Sequence, residues 1–196
     1  MVSVSEIFYG FCKSFSSLGI TVAPTPSTWK YRVYYFFDLL GRMLGYTVFT
    51  EDQFKESDGI KELIGKRIDM TWVAPKSDKY VLALEYENTR KIDDEIEKLA
   101  AVNGLRVLVM FRYDYTDEEI MEKIRTKLKK FGEDDSGFLV LILPEYFRWE
   151  KPFEKLRALL LNSEGQVVGF GSAEGYIGRN EVCSFRNARW RSRRVK

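Results

Sequence analysis

The sequence predicts an α/β protein with a mixed central sheet of about five strands flanked by helices, and three observations carry that expectation. Two near-continuous apolar runs, Leu105 to Phe111 and Phe138 to Leu143, read as strands covered on both faces. Helical spacing precedes each of them, in Ile92, Ile96, Leu99 and Ala100 and then in Ile120, Ile124, Leu128 and Phe131. From Lys66 to Lys91, β-branched and aromatic runs flank the turn-rich segment Ala74-Pro75-Lys76-Ser77-Asp78-Lys79 and predict a strand pair.

Taken in order, residues 3 to 18 place Ile7, Phe8, Phe11, Phe15 and Leu18 at the spacing of an amphipathic helix stopped by Gly19. Ala23-Pro24-Thr25-Pro26 is then a linker, because neither proline continues a helix. Ser27 or Thr28 caps a second helix running to Leu44, with Gly45 as its stop. Tyr46 to Thr50 is a first strand, and Glu51 to Gly65 is a polar excursion around a short helix at Ile60, Leu63 and Ile64. After the strand pair comes a helix from about Thr89 to Asn103, ended by Asn103-Gly104. Thr116 and Glu119 form a capping box for the helix that Gly132 closes. Beyond Pro144 the spacing predicts a helix over 152–161, a strand from Gln166 to Phe170, and a basic tail. The organisation is therefore a helix and linker at 1–26, a core domain at 27–172 and a basic arm at 173–196.

Composition narrows the chemistry. A chain of 196 residues with 45% hydrophobic and 15% aromatic residues has enough apolar side chains for a sizeable core. No apolar run reaches the roughly 20 residues that span a bilayer, and no charged segment with a cleavage site opens the sequence, so cytoplasmic residence without membrane contact is expected. There is no histidine, which removes Ser-His-Asp hydrolysis, His-ligated zinc and His-dependent nuclease chemistry together. Catalysis must then run on carboxylates, Lys, Tyr or a bound metal. Net charge is +2, yet six cations fall between Arg186 and Lys196; without them 25 basic residues face 29 acidic ones. Arg186, Arg189, Arg191, Arg193 and Arg194 are accordingly the candidate nucleic-acid contacts.

The acids of the strand pair stand out. Side chains alternate along a strand, so Val81, Ala83, Glu85 and Glu87 share one face and Leu82, Leu84 and Tyr86 the other. Glu85 and Glu87 then project side by side, with Cα atoms about 6.6 Å apart at about 3.3 Å per residue. Asp69, on the preceding strand, joins them if the register suits. Three converging carboxylates repel one another and lose hydration, and a hard divalent ion such as Mg²⁺ or Mn²⁺ relieves both costs.

The order helix, strand, strand with Asp69, strand with Glu85-x-Glu87, helix, strand resembles the PD-(D/E)XK nuclease superfamily over roughly Tyr31 to Tyr113. The resemblance implies a restriction-endonuclease-like αβββαβ core and metal-dependent hydrolysis of DNA. Residue by residue, Asp69 stands at the family's metal-binding Asp, Glu85 at its (D/E), and Glu87 where most members carry Lys and some restriction enzymes carry Glu. Asp69, Glu85 and the backbone carbonyl of Tyr86 would hold the metal, with Glu87 a further ligand or the base that orients water. Lys91, Arg90 and Lys66 are candidates for the missing cation, Lys91 as a catalytic residue and Lys66 and Arg90 as DNA contacts. Asp38 matches an acid that many of these nucleases carry on the first core helix. DNA and a second copy of the chain are the candidate partners. The alternative expectation is a nuclease-fold protein that binds DNA or assembles on it without cutting; a further one is an unrelated α/β protein whose three acids are merely exposed.

Overall fold

The computed structural model describes residues 3–18, 26–53, 64–77, 79–87, 92–111, 115–131, 136–143, 155–177 and 183–193. Helices α1 (Val4–Ser14) and α2 (Pro26–Met43) come first, followed by strands β1 (Thr47–Gln53), β2 (Arg67–Val73) and β3 (Tyr80–Glu87). Next are α3 (Asp93–Ala100), β4 (Leu105–Phe111), α4 (Asp117–Phe131), β5 (Phe138–Leu143), β6 (Lys155–Leu161), β7 (Val167–Ile177) and β8 (Cys183–Ser192). The strands form one eight-stranded mixed sheet in which spatial order is sequence order. β1 to β3 pair antiparallel, β3 to β5 parallel, and β5 to β8 antiparallel again.

Parallel neighbours need crossover connections, which α3 and α4 supply. Both crossovers step across the sheet in the same direction, and right-handed connections of that kind put both helices on one face. That face buries Ile92, Ile96, Leu99, Ile120, Ile124 and Leu128 against Leu108, Met110, Val140 and Ile142. The other face is left to α1 and α2, whose Phe8, Phe11, Phe15, Trp29, Val33 and Phe37 pack on Trp72, Leu84, Val107, Val109 and Leu141. β4 and β5 are thus buried on both sides, with the bounds their apolar runs predict. The α4 capping box is present as read: Thr116 N–H donates to Glu119 Oε2 at 2.7 Å and Glu119 N–H donates to Thr116 Oγ1 at 3.2 Å. No described helix is long and apolar enough to cross a membrane.

The C-terminal third departs from the sequence reading, and the sheet has eight strands rather than about five. The helix expected over 152–161 is strand β6, with residues 151–154 outside the described residues. Leucine-rich runs favour helix locally, but the open edge of β5 takes this one as an antiparallel partner, Phe138 opposite Leu161 through Ile142 opposite Arg157. Asn162 then builds the turn into β7, its Oδ1 accepting the N–H groups of Glu164 and Gln166. The expected arm at 173–196 is the end of β7 and the whole of β8, paired from Gly169–Ser192 to Ile177–Cys183. The N-terminal helix packs on β8. The Phe15 ring lies 4.4 Å from that of Phe185 of β8, tilted by 51°, and the backbone N–H of Trp190 donates to the Tyr9 hydroxyl at 3.0 Å. Cys12 is buried and free. α2 starts at Pro26, where a proline at the first helical position loses nothing. The short helix expected around Ile60 and Leu63 lies outside the described residues.

Close approach explains the glycines of β7. A Cβ on Gly171 would lie 2.8 Å from Trp190 Cε3 and 3.1 Å from Phe8 Cε2. Gly171→Val is therefore expected to lower stability by about 1–3 kcal/mol through overpacking. Chemical denaturation measures this, and an unchanged midpoint would show that the α1–β7 contact is loose.

Candidate functional site

The paired ladder of β2 and β3 runs from Val73 opposite Tyr80 to Met70 opposite Leu84. Asp69 is the next residue on β2 and Glu85 the next on β3. Here a side chain bridges the strands: Asp69 Oδ2 accepts the backbone N–H of Tyr86 at 2.9 Å. Parallel register with β4 sets Ala83 beside Arg106, Glu85 beside Leu108 and Glu87 beside Met110, so the two glutamates share the face that α3 covers. Leu82, Leu84 and Tyr86 pack on the opposite core, as alternation requires. Val81 does not follow the alternation; it packs with Leu82's core, at a register shift next to Trp72 and Val73.

All three acids are buried, Glu85 to 1%, Glu87 to 8% and Asp69 to 9% exposure. Lysines from two helices meet Asp69 and Glu85. Lys30 of α2 lies 3.0 Å from Asp69 Oδ1. Lys98 of α3 lies 2.6 Å from Glu85 Oε1, forms a second ion pair with Glu95, and donates to the carbonyl of Arg67 at 2.9 Å. Burial, reinforced by the negative charge of Asp69, pushes the Glu85 carboxyl up to about 9 despite Lys98. Burial pulls the Lys98 ammonium down, but Glu85 and Glu95 outweigh it and its net shift is upward. Tyr34, one turn after Lys30, is raised by burial and by the charges of Asp69 and Glu85. Its buried hydroxyl lies beside the Asp69 carboxylate, whose interaction with it adds to the shift.

Asp69 and Glu85 are therefore brought together across two strands, and Glu87 lies on the Glu85 face. Lys66 is exposed at the start of β2. Lys91, Arg90 and Arg194 lie outside the described residues. Asp38 turns to the surface, where Arg42 Nε donates to it at 2.9 Å, so the α2 residues at the site are Lys30 and Tyr34. Lys30, Tyr34, Glu95 and Lys98 escape sequence reading. Each flanks an apolar stripe, Trp29-Val33-Phe37 or Ile96-Leu99, but which flank meets the site depends on how the helix lies on the sheet.

The donor set suits a hard divalent ion. Such an ion takes one or two carboxylates and keeps water in its other positions, and here two acids meet whose mutual repulsion a cation would relieve. Among the described residues no group of three or more Asp, Glu, Cys or His is placed to hold a metal ion. No family model, curated protein or solved structure matches the chain.

Proposed function

We propose that the chain is a divalent-metal-dependent nuclease that hydrolyses DNA phosphodiester bonds on a restriction-endonuclease-like core. The observation that carries this reading is the seating of Asp69 on the N–H of Tyr86, the residue after Glu85, close enough for its charge to act on the Glu85 carboxyl. The order α2-β1-β2-β3-α3-β4, with β1 to β3 antiparallel and β4 parallel to β3, supports it. Asp69, Glu85 and the carbonyl of Tyr86 would hold Mg²⁺ or Mn²⁺, which when bound supplies water activation and offsets charge developing on phosphorus. Lys98 and Lys30 take the place of the lysine that position 87 lacks: they hold the two carboxylates and set positive charge beside the scissile phosphate. Glu87, on the Glu85 face, orients the attacking water. A cytoplasmic setting, and a second copy of the chain to reach both strands of a duplex, belong to the same reading.

A second reading is favoured by the same lysines: a protein that keeps this fold and binds DNA without cutting, its acids already neutralised by Lys30 and Lys98. Titrating Mn²⁺ while following thermal unfolding, beside cleavage of labelled duplex, junction, flap and single-stranded DNA, separates the two. A ligand that binds only the folded state at a hundred times its Kd stabilises by about 2.7 kcal/mol. Stabilisation with cleavage is expected. Stabilisation alone selects the second reading, and neither response rejects the metal site.

A further inference from the structure

We propose that the exposed face of β7 and β8 binds single-stranded nucleic acid, its unpaired bases stacking on Phe170 and Tyr176 while Arg186, Arg189, Arg191 and Arg193 contact the phosphates. The strand places these arginines together by a local device. Phe185 and, beyond it, Ala188 and Trp190 pack into the core under α1, although Ala188 is three positions after Phe185 and alternation alone would set them on opposite faces. Asn187, at φ +53, lies where the register shifts opposite Ser172 and Glu174, and this bulge restores the phase. Arg186 before it and Arg189 and Arg191 after it consequently share the outer face, all exposed.

The neighbouring strand completes the surface. In register, Phe170 stands beside Arg191, Ser172 beside Arg189, Glu174 beside Arg186 and Tyr176 beside Ser184. Phe170 is 36% and Tyr176 39% exposed, the aromatic residues of a row whose alternate positions are small and buried, Gly169 and Gly171 under Trp190. The Arg186 guanidinium lies 3.7 Å over the Tyr176 ring, and Arg157, ion-paired to Asp117, lies 5.9 Å from Phe170. Bases stack on guanidinium planes as on aromatic rings. Glu174 is the acid of the row, held by Asn187 Nδ2 at 2.7 Å and facing Lys155 on β6.

Exposed rings decide between single strands and duplex. Stacking on side chains needs bases that are not already stacked and paired, whereas arginines alone would serve any polyanion. This face is independent of the carboxylate pair, so it is tested in EDTA, where no metal-dependent cleavage occurs. Fluorescence anisotropy with labelled dT20, U20 and a 20-base-pair duplex is expected to give tighter binding of single strands than of duplex; dT20 against U20 reads the DNA or RNA preference. Phe170→Ala and Tyr176→Ala are each expected to weaken single-strand binding roughly tenfold with an unchanged salt slope. Arg189→Ser with Arg191→Ser should flatten that slope by about 1.4 log units per log unit of salt. Equal or tighter duplex binding, or full single-strand affinity in both aromatic variants, overturns the proposal. So does self-association of the arginine variant with oligonucleotide binding intact, since the arginines would then guard the β8 edge against pairing with another chain.

Discussion

Asp69→Ala and Glu85→Ala are each expected to lower DNA cleavage about a thousandfold or more, because a ligated metal contributes several kcal/mol of transition-state stabilisation and each 1.36 kcal/mol is tenfold in rate. The two variants differ in what they do to the fold. Asp69→Ala removes the buried hydrogen bond that Asp69 Oδ2 accepts from the N–H of Tyr86 at 2.9 Å, which costs about 1–3 kcal/mol. Asp69→Asn retains an oxygen for that N–H and removes the charge, so it isolates ligation from structure. Asp38→Ala serves as the control: its carboxylate pairs with Arg42 on the surface, and its rate should stay within about twofold, as a surface pair contributes little. Single-turnover cleavage with parallel unfolding curves gives the readout. Unchanged cleavage in Asp69→Asn removes Asp69 from the chemistry, and equal losses in Asp38→Ala would mean the assay reports stability instead.

How much of the fold the sequence reveals depends on whether the signal is local. Leu105 to Phe111 and Phe138 to Leu143 are apolar at every position but Arg106, since helices cover both faces, and their limits can be read from the chain. The capping box at Thr116 is local for the same reason: both of its hydrogen bonds close within three residues. β6 is different. Its leucines suit a helix until the β5 edge is there to pair with, and that edge is a property of the assembled sheet. β8 hides for another reason, because its bulge at Asn187 breaks the alternation that marks a strand, and its arginines then read as a solvated tail.

The site divides along the same line. Alternation puts Glu85 and Glu87 on one face from sequence alone, and the element order brings Asp69 to the neighbouring strand. The cations do not follow from proximity in sequence. Lys66 is three residues from Asp69 yet exposed, whereas Lys30 is 39 residues away and pairs with it at 3.0 Å. Lys98 reaches Glu85 because α3 crosses over β3 on its way to β4, a consequence of crossover geometry that no spacing within the helix records.

Without divalent metal, stability is expected to fall as pH rises from about 4.5 to about 9, and Glu85→Gln to remove most of that fall. Burial and Asp69 hold the Glu85 carboxyl at about 9 in the folded chain against 4.5 as its ordinary value. Over this interval the folded state keeps a proton that the unfolded chain has lost, so raising the pH favours unfolding. The stabilising contribution is complete below the unfolded value and is lost as pH climbs through the folded one, at a limiting slope of about 1.4 kcal/mol per pH unit. Lys98, Glu95, Lys30 and Tyr34 surround the pair, and Lys98 and Tyr34 are both shifted upward, away from this interval. Glutamine is neutral at every pH, so Glu85→Gln should match the parent near pH 5 and exceed it by a few kcal/mol near pH 9. A metal binding at Asp69 and Glu85 must displace the same proton, so apparent Mn²⁺ affinity should rise about tenfold per pH unit up to about 9. Denaturant melts at pH 5, 7 and 9, with and without Mn²⁺, test all three expectations. A parent protein whose stability is flat over that range, or a Glu85→Gln variant less stable than the parent at pH 9, would mean that Glu85 is ionised and satisfied by Lys98, leaving a structural ion pair rather than a poised ligand.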